Sequence, residues 1–202
     1  MGIGVKRKIV FATGNQGKMH EIRQILGDME LEAVSMKEAG IDLDIVEDGT
    51  TFEENAVIKA KAVAAYTDAI VLADDSGLEI EYLNNEPGIY SARYMGADTP
   101  YSVKNQSFID RLKGVPDEQR TARFVCVIAA AMPDGEVFTT KGVIEGRIAQ
   151  EEKGENGFGF DPIFYVPEYG CTTAQLSEEQ KNAISHRGKA LEAMKEELRK
   201  RI

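Results

Sequence analysis

The sequence contains no tryptophan and very little cysteine or histidine. Two of its 202 residues are cysteine and two are histidine. Cys126 and Cys171 form no CxxC pair and have no histidine at ligand spacing, which argues against a zinc site. Cys126 lies inside an apolar run, so we expect it to be a small buried hydrophobic residue. No cysteine or Ser-His nucleophile arrangement is visible.

Long apolar runs and an excess of basic residues are also lacking. No apolar stretch reaches 18 residues, and no basic segment followed by an apolar one opens the chain, so we expect no membrane association. The 24 basic residues face 34 acidic ones, for a net charge of −10. This balance argues against a nucleic-acid partner. A reducing cytoplasm is the expected location, and a polyanionic ligand would need a local basic cluster or a divalent metal.

The hydrophobic content of 43% and charged content of 29% are typical of a globular protein of one domain or two small lobes. Hydrophobic periodicity, caps and turn residues predict interleaved strands and helices. The predicted strands are residues 8–12, 69–73 and 78–82, with a hairpin of residues 124–131 and 136–148, and the predicted helices are residues 17–26, 51–65, and those starting at 99 and 189. These elements together predict an α/β protein with a mixed sheet.

The stretch at residues 13–18, TGNQGK, lies between a predicted strand and a predicted helix. Gly14 and Gly17 are too close for a Walker loop, and Met19 stands where a hydroxyl residue would hold magnesium. A strand-to-helix turn still presents unpaired N–H groups and the positive end of the helix dipole. The stretch therefore has two interpretations, a phosphate-binding turn or a plain glycine turn with Lys18 on the surface.

Acidic residues follow the apolar strand at residues 69–73. Ligands of α/β sheets bind at the carboxyl ends of strands, and a carboxylate there can hold Mg²⁺ or take a proton from water. Because adjacent side chains on a strand point to opposite faces, Asp74 and Asp75 are expected to do different jobs. The alternative is an Asx turn that closes a connection.

A second acidic pair, Glu47 and Asp48, precedes the helix at residues 51–65. On that helix Asn55 and Lys59 are four residues apart and share a face. Lys59 is placed to reach a phosphate while Glu47 reaches a metal. A solvated helix face is the alternative.

Two later stretches carry further recognition groups. Residues 157–162, GFGFDP, alternate glycine and phenylalanine, which suits stacking on a flat ring next to a carboxylate. Residues 181–188, KNAISHRG, place Lys181, His186 and Arg187 before the terminal helix, where they can hold a base carbonyl or a phosphate. The alternatives are core phenylalanines and a surface loop.

Six ordered stretches together resemble the inosine triphosphate pyrophosphatase family, over nearly the whole chain. They are TGNQGK, EDGTTFEENA, ADDSGL, PGIYSARY, GFGFDPIF and EEQKNAISHRGKAL. Members hydrolyse non-standard purine nucleoside triphosphates (ITP, dITP and XTP) to the monophosphate and pyrophosphate. The resemblance implies a single domain over residues 1–202, built on an elongated mixed sheet flanked by helices, with two lobes and a central cleft. It also implies Mg²⁺ and a homodimer.

The resemblance implies residue roles as well. Asp75 would be the general base and, with Glu47, a ligand of Mg²⁺, while Lys18 and Lys59 would act on the triphosphate. The implied substrate-binding residues are Thr13, Gly14, Asn15, Gln16, Gly17, Lys18, Ser76, Phe158, Gly159, Phe160, Asp161, Lys181, His186 and Arg187. Two points stay open, namely Glu47 or Asp48 as metal ligand and the division of roles between Asp74 and Asp75.

Two other functions compete with this one. A nucleotide hydrolase of another type would release orthophosphate from the same substrates. A nucleotide sensor without activity would keep the lysines but would have no use for Asp75 and Glu47 as an acid pair, so their presence favours catalysis.

Overall fold

The computed structural model describes residues 6–202, which form an α/β fold around a mixed sheet. The strands are β1 (Arg7–Phe11), β2 (Leu31–Ser35), β3 (Ile70–Ile80), β4 (Glu86–Pro87), β5 (Thr121–Ala131), β6 (Val137–Ile148), β7 (Phe164–Val166) and β8 (Cys171–Thr172). The helices are α1 (Gln16–Ile25), α2 (Phe52–Ala64), α3 (Tyr101–Arg111), α4 (Glu178–Ile184) and α5 (His186–Arg199).

The sheet contains parallel and antiparallel pairs. Its strand order is β2-β1-β3-β5-β6-β7-β8, and β4 pairs with β3 outside this path. β1 is parallel to both β2 and β3, whereas β3–β4, β6–β7 and β7–β8 are antiparallel. The predicted α/β class with a mixed sheet is therefore confirmed. The predicted lobes and central cleft stay a prediction.

The chain folds into two compact units, each built from separate segments. Among the described residues, unit 1 comprises residues 6–75, 126–141 and 190–202, and unit 2 comprises residues 76–125 and 142–189. Strands β3, β5 and β6 contribute residues to both.

The core of unit 1 is formed by the apolar sides of α1, α5 and the strands. Its fully buried side chains include Ile9, Phe11, Ile22, Leu72 and Leu191. Burial of such aliphatic and aromatic surface stabilises the unit by about 25 cal/mol per Å². Cys126 belongs to this core, as predicted from its apolar surroundings.

The core of unit 2 is rich in aromatic rings. Phe124 and Phe164 stack at 4.2 Å between centroids, and Phe160 packs edge-on against Phe108 at 5.8 Å. Aliphatic side chains of β3, β5 and β6 fill the space around them. This core supports the loop at residues 157–161.

Strand β3 corrects the prediction of two separate strands. It runs without a break from Ile70 to Ile80, so the Asx turn considered at Asp74 and Asp75 is wrong. Pairing with neighbouring strands and burial override the turn preference of Asp, Ser and Gly in this segment. The two carboxylates therefore sit inside a strand instead of beyond its end.

Five elements were absent from the prediction, namely the strands β2, β4, β7 and β8 and the helix α4. β2 is short and lacks a clear alternation, and it owes its place to parallel pairing with β1. α4 does have a signal in the sequence, because Ser177 and Gln180 form a capping box at its start.

Two helix starts also differ from the prediction. α3 begins at Tyr101 with Pro100 as N-cap, since the Thr99 hydroxyl donates to the Met95 carbonyl instead of capping the helix. α5 begins at His186, three residues earlier than residue 189. Within residues 6–202, no helix is both long enough and apolar enough to cross a bilayer.

Candidate active site

The turn at residues 13–18 joins β1 to α1 and is held by its own side chains. Asn15 is the N-cap, and its side-chain oxygen accepts the Lys18 N–H at 3.1 Å. The Asn15 N–H donates to Thr13 Oγ1 at 3.1 Å. α1 has no acidic residue in its first turn, so the positive end of its dipole is not neutralised from within the helix. Gly14 faces open space, which leaves room for a ligand beside the backbone.

Lys18 is bound to Asp74. Its Nζ lies 3.3 Å from Oδ1 and 3.1 Å from Oδ2 of that carboxylate. The Asp74 side chain is almost fully buried, whereas that of Lys18 keeps about a fifth of its surface exposed at 19%. Asp74 therefore holds the lysine in place while the ammonium stays accessible.

Asp75 lies in a different set of contacts, as the alternation of side chains along a strand predicts. Lys59 Nζ lies 2.5 Å from Glu47 Oε1 and 3.9 Å from Asp75 Oδ1. Asn55, one helical turn before Lys59, donates a hydrogen bond to Asp75. Across residues 6–202, the buried Oδ2 atom of Asp75 has no hydrogen-bond partner.

The environment of Asp75 makes its ionised form less favourable than it would be in water. Burial raises the pKa of Asp75 to about 6; attraction by Lys59 opposes this rise, and repulsion by Glu47 adds to it. A carboxylate with a pKa close to neutrality is well matched to general-base catalysis. For Lys59, burial acts to lower the pKa, but the negative charges of Asp74, Asp75 and Glu47 outweigh burial and raise it.

Of the two acids before α2, Glu47 is the one that contacts this cluster. It pairs with Lys59, whereas Asp48 is exposed. The segment is fixed to α2 by two hydrogen bonds, from the Gly49 N–H to Asn55 Oδ1 at 2.8 Å and from the Thr50 N–H to Glu54 at 2.6 Å. These bonds fix the backbone next to Glu47.

The donor set fits a hard divalent cation shared with a phosphate ligand. Asp75 Oδ2 is buried without a partner, and Glu47 adds a second carboxylate close by. No group of three or more His, Cys, Asp or Glu side chains in the described residues could hold a metal on its own. Mg²⁺ is often held by one or two carboxylates plus substrate phosphates, which is compatible with this pair.

A second cluster lies in unit 2 around Asp161. The buried carboxylate accepts from Lys181 Nζ at 2.6 Å, the Thr173 hydroxyl at 2.7 Å and the Phe158 N–H at 2.9 Å. Asp161 thus shapes the loop, and its implied contact with substrate stays a prediction. A Cβ at Gly157 would collide with the same carboxylate.

Phe158 is half-buried and has two cations near its ring. Lys181 Nζ lies 4.8 Å and Arg187 Cζ 5.7 Å from the ring centroid. Phe160 is buried against Phe108 and Tyr101 in the core of unit 2. Phe160 therefore supports the loop from the core, whereas stacking of Phe158 on a flat ring stays a prediction.

His186 and Arg187 lie in the first turn of α5. The His186 ring stacks on Phe124 at 4.8 Å with an interplanar angle of 22°. An Arg187 N–H donates to the Ser76 hydroxyl at 3.1 Å. Both residues are buried.

The structure adds residues that sequence reasoning did not assign to the site. Asn55 holds Asp75, and its signal was the four-residue spacing to Lys59. Thr173 holds Asp161 and Phe124 supports His186, and neither had a signal in the sequence because both contacts are made between distant segments.

This chain is similar to known proteins over nearly its whole length. A profile of the Ham1 family matches residues 9–197. The dITP/XTP pyrophosphatase of Desulforamulus reducens is 49% identical over 191 residues, covering 95% of this chain and 95% of that protein. The dITP/XTP pyrophosphatase of Clostridium perfringens is 47% identical over 199 residues, covering 96% and 98%.

Solved structures show the same fold. The Ham1 protein of Staphylococcus aureus superimposes with a TM-score of 0.85 at 44% identity, covering 97% of this chain and all of that one. The resemblance detected in the sequence is thereby confirmed, and this chain belongs to the Ham1 family.

Proposed function

We propose that this chain hydrolyses non-standard purine nucleoside triphosphates, ITP, dITP and XTP, to the nucleoside monophosphate and pyrophosphate. This would remove them from the nucleotide pool. Relatives named as dITP/XTP pyrophosphatases, similar over nearly their full length, support the proposal. The observation that carries it is the cluster of two lysines and three carboxylates around β3, because it combines phosphate-binding cations with a buried base.

Asp75 is the proposed general base. Its pKa of about 6 leaves the carboxylate ionised at neutral pH yet able to accept a proton. It takes a proton from a water molecule whose oxygen attacks the α-phosphorus. The bond from the α-phosphorus to the bridging oxygen breaks, and pyrophosphate leaves with the electron pair. Asn55 and Lys59 orient the carboxylate during this step.

Lys18 and Lys59 are proposed to bind the triphosphate. Both are ammonium groups held by buried or half-buried carboxylates, so they are oriented before substrate arrives. Fixed cations aimed at developing negative charge stabilise a transition state without reorganisation. The turn at residues 13–18 adds backbone N–H groups at the start of α1.

Glu47 and Asp75 are the proposed ligands of Mg²⁺. A bound divalent ion would neutralise triphosphate charge and polarise the phosphoryl oxygens. Because the two protein carboxylates leave most coordination positions to water and phosphate oxygens, metal and nucleotide are expected to bind together. Between the two acids, the contact with Lys59 favours Glu47 over Asp48.

The cluster in unit 2 is proposed to bind the purine. Phe158 stacks on the base, and Lys181, His186 and Arg187 supply donors for its 6-keto oxygen. Adenine carries an amino group at that position, which would leave buried donors unpaired when ATP enters. Such a mismatch can be worth about four orders of magnitude in a site built around the hydrogen bond. The Ser76 hydroxyl, next to Asp75 in the chain and bonded to Arg187, would also touch substrate.

A homodimer, a cytoplasmic location and a single functional domain over residues 1–202 complete the proposal. These three statements come from the family resemblance and the composition, and size-exclusion chromatography with light scattering measures the first of them.

The test is pyrophosphate release from ITP, dITP, XTP, GTP and ATP with Mg²⁺ and purified protein. We expect ITP, dITP and XTP to be hydrolysed at least about a hundredfold faster than ATP, because only the keto purines satisfy the donors. Orthophosphate as the product would point to another class of nucleotide hydrolase. Binding of ITP without any turnover, unchanged in Asp75→Asn, would point to a sensor.

A further inference from the structure

One face of helix α3 packs against the loop at residues 157–161. Tyr101, Asn105 and Phe108 are spaced four and three residues apart, so they share this face. The rings of Tyr101 and Phe108 lie edge-on against Phe160, at 5.1 and 5.8 Å between centroids. Between them Asn105 Nδ2 donates to the Gly159 carbonyl at 3.2 Å. α3 therefore forms a supporting wall for the loop that carries Phe158.

Asn105 has the only amide on this wall that bonds to the loop among the described residues, and it is 1% exposed. Its second N–H donates to Glu152 Oε1 at 2.8 Å. Two oxygen acceptors on one side fix the orientation of the amide, because the reverse orientation would place its oxygen against theirs.

The amide oxygen of Asn105 is buried and has no hydrogen-bond partner within residues 6–202. An unsatisfied buried acceptor is costly for stability, and an apolar side chain of the same size would avoid that cost. Stability alone therefore does not account for an amide here. The two hydrogen bonds that the amide donates, to the Gly159 carbonyl and to Glu152, do account for it.

The loop is tied on both sides of Phe158. The Phe158 N–H donates to Asp161, and the carbonyl of the following residue, Gly159, accepts from Asn105. Gly157 and Gly159, which flank Phe158, have φ angles of +72° and +66°, a conformation that glycine adopts readily and that does not by itself fix the backbone. The direction of the Phe158 ring thus depends on both bonds.

The wall itself is anchored by the PGIYSARY stretch at residues 87–94. Lys104, fully buried, donates to the Ala92 carbonyl at 2.9 Å, and the Tyr94 ring stacks on Phe108 at 4.4 Å. The Ser91 hydroxyl accepts the Leu78 N–H of β3 at 2.9 Å. This stretch therefore fixes α3 to the part of β3 that belongs to unit 2.

We propose that Asn105 is a positioning residue for purine recognition, acting through the Gly159 carbonyl on the loop that presents Phe158. The inference rests on the proposed function, since that assigns the loop to the base. Asn105 does not touch substrate. It selects one backbone arrangement of a glycine-rich loop, and through it the angle at which Phe158 meets the purine.

The experiment compares Asn105→Leu with wild type, using Gln106→Leu as the matched control. Gln106 is the next residue of α3, is exposed and bonds only to Asp110, so the same chemical change leaves the loop untouched. The measurements are KM and kcat for XTP and ATP with Mg²⁺, the affinity for XMP by calorimetry, and stability to urea.

For Asn105→Leu we expect KM for XTP and the dissociation constant of XMP to rise about tenfold, the scale of one lost hydrogen bond. The preference for XTP over ATP falls by a similar factor, kcat changes less than about threefold, and urea stability is kept. Gln106→Leu should match wild type in KM, in the affinity for XMP, in the preference for XTP, in kcat and in urea stability.

Unchanged KM and unchanged preference in a folded Asn105→Leu protein would overturn the inference. If that variant does not fold, Asn105→Ser replaces it, because serine is too short to reach the Gly159 carbonyl and leaves no bulky side chain. Unchanged KM and unchanged preference in Asn105→Ser would then overturn the inference in the same way. Absence of pyrophosphate release by wild type would instead refute the proposed function, so the two failures are distinguishable.

Discussion

At the scale of single residues, Asp75 shows how burial prepares a functional group. Its carboxylate is held by Asn55 and faces Lys59, yet burial outweighs both and raises its pKa to about 6. A buried acid with a raised pKa is costly in its ionised form, because folding must remove water from the charge. The raised pKa of Asp75 therefore lowers stability at neutral pH, and it suits the general-base role proposed for this residue.

This loss of stability predicts that Asp75→Asn stabilises the metal-free protein in a pH-dependent way. The folded-state pKa lies above the ordinary value of 3.8, so the penalty is absent below that value and complete above about pH 6. In EDTA, the variant should match wild type near pH 3.8 and exceed it by roughly 3 kcal/mol at pH 7.5. Urea unfolding across that pH range measures the difference.

Glu54→Gln supplies a control of opposite sign. Hydrogen bonds from Thr50 lower the pKa of Glu54, so its stabilising effect is present above the ordinary value and lost as the pH falls. That variant should be less stable than wild type at pH 7.5 and equal to it at low pH. A flat difference between wild type and Asp75→Asn across the range would contradict the account of Asp75.

Residue-scale prediction from sequence succeeded where local spacing carries information. Asn55 and Lys59 share a helical face, and Asp74 and Asp75 alternate on a strand, so their separate partners follow from local geometry. Two other contacts depend on packing between separate segments of the chain. They are the stacking of Phe124 on His186 and the hydrogen bond from Thr173 to Asp161. No local pattern encodes such contacts.

At the scale of elements, the loop at residues 157–161 is fixed by a carboxylate and two glycines. Asp161 gathers Lys181, Thr173 and the Phe158 N–H, and Gly157 leaves space for that carboxylate. The sequence motif GFGFDP therefore encodes a backbone shape as much as a set of ligand contacts.

Gly157→Ala is predicted to be far more harmful than Gly114→Ala. Both glycines have positive φ, +72° and +82°, but a Cβ at Gly114 would meet open space, whereas one at Gly157 would strike Asp161. Gly114→Ala should cost about 1 kcal/mol of backbone strain. Gly157→Ala should cost about 3 kcal/mol or more, since it also separates Asp161 from Lys181.

Urea unfolding measures both losses, and KM for XTP reports the loop directly. Gly114→Ala should keep the KM of wild type, whereas Gly157→Ala should raise it. Equal stability of the two variants would show that the Asp161 network does not fix the loop.

Strong local signals predicted most elements, and their absence explains the misses. The predicted helix at residues 51–65 appears as α2, and the predicted hairpin of residues 124–131 and 136–148 appears as β5 and β6. β3 was divided in two because Asp, Ser and Gly favour turns, and only pairing with neighbouring strands keeps them extended. The short β2 has too few residues for a periodic pattern.

At the scale of the whole molecule, the net charge of −10 opposes the approach of a nucleoside triphosphate. Affinity must therefore come from local groups, and the proposed ones are Lys18 and Lys59 in unit 1 and Lys181 and Arg187 in unit 2. Each cation lies next to an acceptor that fixes its position.

The interleaving of chain segments is the feature least accessible to sequence reasoning. Unit 1 draws on three segments and unit 2 on two, with β3, β5 and β6 shared. Composition shows no linker, so nothing local marks the division. Family membership, in contrast, was evident from six short motifs, because they carry the groups that the chemistry needs.

Hydrolysis of XTP in water enriched in ¹⁸O tests the central claim most directly. Attack of water at the α-phosphorus, with Asp75 as base, predicts one ¹⁸O atom in XMP and none in pyrophosphate, as read by mass spectrometry. Asp75→Asn should form the same products at least about a hundredfold more slowly. Label in the pyrophosphate, or release of orthophosphate in its place, would contradict the mechanism.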